Sequence, residues 1–168
     1  MSEINNAYLL KELQDQFAAS IITVDEPYGM LTIELEPNQI VDVLNFLYQH
    51  PAIQMQFLTD LCGIHFPDTK GKELGVIYHL HSFVNNLRLR LKCFMPIENP
   101  QVSSITSVFE AANWQERETF DFYGIEFVGH PNLKRILNVD EMDYFPMRKE
   151  YPLEDQTRTD KDDTYFGR

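Results

Sequence analysis

Apolar residues recur along this chain in two different periods, and the change of period marks out the elements. Leu9, Leu10, Leu13 and Phe17 stand three and four apart, which predicts a helix over residues 5–18. Ser20 to Val24 is a short β-rich run, closed by the turn signal Asp25-Glu26-Pro27-Tyr28-Gly29. From Met30 to Glu36 the period drops to two, with Leu31, Ile33 and Leu35 on one side and Thr32 and Glu34 on the other. The two runs predict a hairpin. Pro37 fits the start of a second helix, where a missing N–H is harmless. Ile40, Val43, Leu44 and Leu47 give that helix its apolar stripe, and Pro51 stops it after His50, which reads as a helix end.

Gln54 to Phe66 is apolar and β-prone, with an expected break at Gly63. A polar loop over 66–72 separates it from a strand at Leu74–Ser82. Asn85-Asn86 supplies a turn into Leu87–Phe94, where Leu87, Leu89, Leu91 and Cys93 alternate with Arg88, Arg90 and Lys92. Such alternation describes one buried and one wet face of an antiparallel sheet. Pro96 to Pro100 reads as a linker, and Ser103 or Ser104 is expected to cap a helix running through Glu110 to Ala112. The pattern predicts an α+β fold: a mostly antiparallel sheet of four or five strands with helices packed on one face. Residues 1–137 form the expected domain. After Leu137 the period is lost, and 138–168 is expected to be an extended C-terminal arm, because the acidic stretch 154–168 offers only Tyr165 and Phe166 for burial.

Charge and composition narrow the function. The chain of 168 residues carries a net charge of −12, which argues against nucleic acid and anionic lipid as partners. No apolar run approaches the ~20 residues that a membrane-spanning helix needs, and the first ten residues match neither a secretory signal nor a transit peptide. The chain therefore reads as cytoplasmic. Its two cysteines, Cys62 and Cys93, read as buried free thiols, too few for a standard iron–sulfur cluster. Cys62 and His65 make half a zinc site at best. His79 and His81 share one strand face and read as ordinary residues of its polar side. There is no glycine-rich phosphate loop, dinucleotide fingerprint or nucleophile elbow.

The chemistry concentrates in Asn113 to Leu137, NWQERETFDFYGIEFVGHPNLKRIL. Asn113 and Glu116 have capping-box spacing, and Trp114 to Tyr123 reads as a short helix closed by Gly124. Arg117 and Asp121, four apart, are expected to pair on its surface. A charge run of this kind is most often a solvated face. Here it also carries Trp114, Phe120, Phe122 and Tyr123, and aromatics beside arginine are typical of protein interfaces. Glu116, Glu118 and Asp121 with His130 have the residue types of an acid–base site, and a stand-alone enzyme using Glu116, Glu118 and His130 is the catalytic alternative. No nucleophile or cofactor motif accompanies them.

The run Glu116-Arg117-Glu118, Asp121-Phe122-Tyr123-Gly124-Ile125, His130-Pro131 and Lys134 to Leu137 closely resembles the signature of the thirty-kilodalton subunit family of respiratory complex I, the proton-pumping NADH:quinone oxidoreductase. Pro146 to Pro152 resembles that family's second motif, with Met147 and Glu150 as conservative variants. The resemblance implies a cofactor-free subunit of the peripheral arm, on the cytoplasmic side of a bacterial inner membrane. It implies other peripheral-arm subunits as partners, first the hydrogenase-like subunit at the quinone site, with flavin and iron–sulfur clusters carried by those partners. An equivalent subunit of a membrane-bound hydrogenase or of a ferredoxin-driven quinone reductase is the alternative. The residues expected to serve the bracing role are Glu116, Arg117, Glu118, Asp121, His130, Arg135, Arg148 and Lys149. The sequence leaves two roles open for them, contacts across a subunit interface or locking of the chain's own fold.

Overall fold

The structure, a computed structural model, describes residues 4–151. It opens with helix α1 (Asn6–Phe17), capped by Asn5, whose side chain accepts from the Tyr8 N–H. Strands β1 (Ile21–Asp25) and β2 (Leu31–Leu35) form the expected antiparallel hairpin. Pro37–Gln39 makes one tight turn, so α2 starts at Ile40 and runs to Gln49. Its stripe of Ile40, Val43, Leu44 and Leu47 is buried as the spacing requires. Strands β3 (Phe57–His65), β4 (Leu74–Ser82) and β5 (Leu87–Met95) follow as an antiparallel meander.

These five strands make one sheet in the order β1-β2-β5-β4-β3. The single parallel contact is β2 with β5, where Leu31 to Glu34 pair with Leu89 to Lys92. The core side of the sheet presents Ile33, Leu35, Val76, Tyr78, Leu80, Leu89, Leu91 and Cys93 to Leu9 and Leu13 of α1 and to the stripe of α2. At the alternate positions Ile77, His79, His81, Arg90, Lys92 and Phe94 are half-buried, Arg88 is exposed and Gly75 is buried. Burying one row of large aliphatic residues, at about 1.5–3 kcal/mol each, sets the register, because a one-residue slip would expose all of them.

Several expectations change. Gly63 does not break β3. It lies within the strand, and a Cβ there would meet the Tyr123 ring at 2.4 Å, so its lack of a side chain admits the ring. The helix expected from Ser103 or Ser104 through Glu110 to Ala112 does not form. Gln101–Ser103 is instead strand β6, pairing in parallel with β7 (Glu126–Val128), and 106–111 is a series of turns. Between these strands lies α3 (Ala112–Tyr123). Cys93 is buried, but Cys62 is only partly so. His50 does more than end α2, because its Nδ1 accepts from the N–H groups of Ala52 and Ile53. Residues 138–151 are irregular and return to the domain, where Met147 N–H donates to Phe122 O and Lys149 N–H to His65 Nδ1. The stretch of the expected arm beyond Tyr151, with the acidic tail, lies outside the described residues.

Candidate functional site at the third helix

The start of α3 is not built as a capping box. Ala111 occupies the cap position without a side-chain bond, Asn113 lies inside the helix, and Glu116 turns inward. The reason is the turn segment before it. Glu116 Oε1 accepts from the Ile105 N–H and Oε2 from the Ser104 hydroxyl, both at 2.7 Å. A buried carboxylate that satisfies two buried donors outweighs a cap bond that water can replace. Burial pushes the Glu116 carboxyl up to about 7, against the pull of these two bonds.

His130 lies on the same side, with Nε2 at 4.0 Å from Glu116 Oε2 and both side chains fully buried. Its Nε2 is 3.0 Å from the Asn113 carbonyl oxygen, and its Nδ1 accepts from the Asn132 N–H at 3.0 Å. A carbonyl can only accept, so this network assigns the proton to Nε2 and leaves both ring nitrogens engaged.

The expected surface pair of Arg117 and Asp121 does not form, because both residues bond to the 134–138 segment. Asp121 is fully buried and receives five donors outside its own helix. Its Oδ1 accepts from Arg135 Nη1 at 2.7 Å and Asn138 Nδ2 at 3.0 Å. Its Oδ2 accepts from the N–H groups of Ile136, Leu137 and Asn138 at 2.8–3.0 Å. Burial alone would raise this carboxyl, but the donors from Asn138, Leu137 and Arg135 prevail and hold it well below the usual carboxylate range. Arg117 donates to the carbonyls of Lys134 and Arg135, both at 3.2 Å.

Arg135 extends the network past the helix. Its Nη1 also donates to the Asp121 carbonyl, and its Nη2 donates to the carbonyls of Met142 and Tyr144. Arg148 donates through Nε to the Tyr123 carbonyl at 2.8 Å, capping the end of α3. Both guanidinium groups lie over the Phe145 ring, at 5.2 Å and 4.7 Å from its centroid. Gly124 ends the helix at φ +71, as its position in the sequence predicts, and a Cβ there would also meet the Phe145 ring at 2.4 Å.

The eight signature residues thus fall into two groups. Glu116, Arg117, Asp121, His130, Arg135 and Arg148 all bond within the chain, tying α3 to the segments on either side. Glu118 and Lys149 are exposed. Glu118 lines a cavity of about 230 Å³ with Asp60, Cys62, Thr119, Tyr123 and Met147. Among the described residues no three His, Cys, Asp or Glu side chains are grouped to hold a metal ion. Sequence reasoning missed Asn138 and Phe145 and read Ser104 only as a helix cap, whereas all three share the network. Asn138 follows the Lys134-Arg135-Ile136-Leu137 run directly, a usable signal, whereas Phe145 stands in a stretch with no period.

Of the four helix aromatics, Trp114 alone is exposed, while Phe120, Phe122 and Tyr123 are half-buried. Further exposed apolar residues gather in the segments this network pins, namely Leu137, Val139, Tyr144, Met147 and Tyr151.

Comparison with known proteins decides the family. The sequence profile described as "Respiratory-chain NADH dehydrogenase, 30 Kd subunit" matches residues 33–157. The chain belongs to that family. Among its relatives, an NADH-quinone oxidoreductase subunit of Geobacter sulfurreducens is 35% identical over 168 residues, covering 100% of this chain and 99% of the relative. An NADH-quinone oxidoreductase subunit of Rhizobium etli is 41% identical over 142 residues, covering 84% of this chain and 74% of the relative. In three dimensions the chain resembles a trypsin-resistant fragment of Nqo5, with a TM-score of 0.63 at 26% identity, covering 74% of this chain and 98% of the fragment. The same fold occurs in a membrane-bound sulfane sulfur reductase, an archaeal respiratory membrane complex, with a TM-score of 0.72 at 17% identity over 88% of this chain and 85% of that one. Both runs that carry the resemblance, residues 116–137 and 146–152, lie within the matched range. No helix of the described residues is long and apolar enough to cross a membrane.

Proposed function

We propose that this chain is the hydrophilic thirty-kilodalton-family subunit of a bacterial proton-pumping NADH:quinone oxidoreductase. In this reading it carries no redox centre of its own. It sits in the peripheral arm on the cytoplasmic side, and it braces the hydrogenase-like subunit that forms the quinone site. Flavin and iron–sulfur clusters belong to its partners.

The observation that carries the reading is the way Asp121, Arg135 and Arg148 pin residues 134–148 around α3. An irregular segment held by buried charge-assisted bonds is a rigid template, and it presents Leu137, Val139, Tyr144 and Met147 to solvent. Rigid apolar and aromatic side chains on a fixed backbone lose little entropy on docking, which suits a permanent interface. The acid–base alternative fits less well. His130 has both nitrogens occupied, Glu116 is sealed from solvent, and Glu118 makes no bond to either. A subunit of a related membrane machine remains the second reading, since an archaeal respiratory complex uses the same fold.

The experiment is native separation of detergent-solubilised membranes from cells carrying a tagged copy. Co-migration of the tag with a large flavin-containing, NADH-oxidising assembly is expected. A large assembly without NADH oxidation would favour the related machine. A free chain, in cells that assemble an active complex, would overturn the assembly role.

A further inference from the structure

The side of the five-stranded sheet opposite the core carries a row of cations that no carboxylate of the described residues pairs with. Arg88, Arg90 and Lys92 stand at alternate positions of β5, so they project from one face about 7 Å apart. Among the described residues none of the three forms an ion pair, whereas Lys72, Arg135 and Arg148 each lie within ion-pair distance of a carboxylate. Across the sheet, His81 stands opposite Arg88 and His79 opposite Arg90. Arg90 Nε donates to His79 Nε2 at 2.9 Å. His79 Nδ1 lies 3.7 Å from Asp60 Oδ2, too far for a hydrogen bond, and His81 Nε2 is buried without a partner. Rings close both ends of the row. Phe83, exposed at 69%, lies 4.7 Å from His81 and 5.1 Å from Phe57, and Phe66 packs on Phe94 at the far end. The edge strands carry carboxylates on the same face, Asp25 opposite Thr32 and Asp60 opposite His79.

This layout selects its occupant. A line of cations flanked on both sides by carboxylates repels any broad anionic surface, such as a lipid bilayer or a nucleic-acid duplex. It accepts a narrow one: carboxylates carried along one edge of an extended segment or a helix, with an apolar residue for the Phe57–Phe83 pair. We propose that this open sheet face docks an acidic segment of another protein, its carboxylates answering Arg88, Arg90 and Lys92. The inference rests on the assembly reading, since it names a second contact surface on the side of the sheet away from α3.

The test is site-specific photo-crosslinking. A benzoylphenylalanine is placed at Phe83 in the tagged full chain, expressed in cells that assemble the complex, and the attached peptide is mapped by mass spectrometry. The expected product is a segment of another protein rich in Asp and Glu, and a crosslink to the chain's own stretch 154–168 would overturn the inference. The yield of the expected product should fall about tenfold or more with R88E/K92E and recover when Lys replaces an acidic residue of the mapped segment. Thermal unfolding of the isolated R88E/K92E chain, at the wild-type midpoint, separates this loss from misfolding. Should that pair misfold, R88Q is read in its place and must lower the yield severalfold. A product that is lipid, a nucleic acid, a neutral or basic segment, insensitive to charge reversal, or absent would overturn the inference. The tag's migration is read on the same gel. An acidic crosslink without an NADH-oxidising assembly upholds this surface and overturns the proposed complex, while co-migration without the crosslink does the reverse.

Discussion

Arg135 reaches back 14 residues to place Nη1 at 2.7 Å from Asp121 Oδ1, and no part of the Asp121 side chain is open to solvent. The pair is the hub of the site. Asp121 also receives the N–H groups of Ile136, Leu137 and Asn138, so one side chain fixes the conformation of a whole irregular segment. Removing it leaves the largely buried Arg135 charge without its carboxylate, bonded only to carbonyls, and three backbone donors without an acceptor. Asp121→Ala should therefore destabilise the chain by about 3–5 kcal/mol, measured by urea unfolding. An unchanged midpoint would mean that solvent satisfies the segment without Asp121.

The same carboxylate gives a pH dependence of known sign. Its pKa in the folded state is held below the ordinary value of 3.8. The stability it contributes is complete above that value and is lost as the pH falls below it. Acid unfolding of the wild type should steepen below about pH 4, and Asp121→Asn should flatten that limb while lowering stability at pH 7.

Glu116 titrates with the opposite sign. Burial raises its carboxyl from 4.5 to about 7, so the fold favours the protonated form. That contribution is complete below 4.5 and disappears as the pH rises through about 7. Glu116→Gln can accept from the Ile105 N–H and donate to Ser104 Oγ, keeping both contacts without a charge. At pH 8 this variant should be more stable than wild type by on the order of 1–3 kcal/mol, with little difference at pH 4.5. Thermal melts across that range check it, and a less stable variant at pH 8 would show that the charge itself is needed.

Gly124 faces two constraints together, a left-handed backbone and the Phe145 ring. Gly124→Ala should cost about 1–3 kcal/mol, and adding Phe145→Leu should return part of the loss. Additive losses in a double-mutant cycle would show that the ring does not press on this position.

Arg117 holds the 134–135 carbonyls from a half-buried position. Arg117→Ala should lower chain stability by about 1 kcal/mol and reduce the amount of assembled complex, while turnover per assembled complex stays near wild type. A fully assembled complex that has lost activity would replace bracing with a direct role.

The parts of the fold that depend on local period were legible. The stripe of α2, the alternation of β5 and the β1–β2 hairpin follow from spacing alone, and so does Gly124 as the end of α3. What spacing could not supply were the partners of charged residues. Glu116 three after Asn113, and Asp121 four after Arg117, satisfy local rules that the tertiary structure overrides, since buried donors on Ile105 and on 136–138 compete for the same carboxylates. The β6–β7 pairing was hidden for a related reason. Three-residue strands carry almost no period, and Ser104, which reads as a helix cap, instead serves Glu116. The sequence placed the signature correctly on α3 and its following turn but left its inward direction open.

The parallel contact between β2 and β5, the one such pairing within the five-stranded sheet, has a bearing on how the chain reaches this state. On one side of that seam lies a hairpin with its two helices, residues 4–50. On the other lies a meander continuous through β3, β4 and β5. Each piece consists of contacts between near neighbours in sequence and can form early, while the seam joins strands separated by more than 50 residues and carries the larger loop-closure entropy. The joint should therefore be the last to close and the first to open, so hydrogen exchange should divide the chain into two cooperative blocks meeting at Leu31–Glu34. Two separately made fragments, cut in the turn at Pro51, should reassemble by docking along that edge.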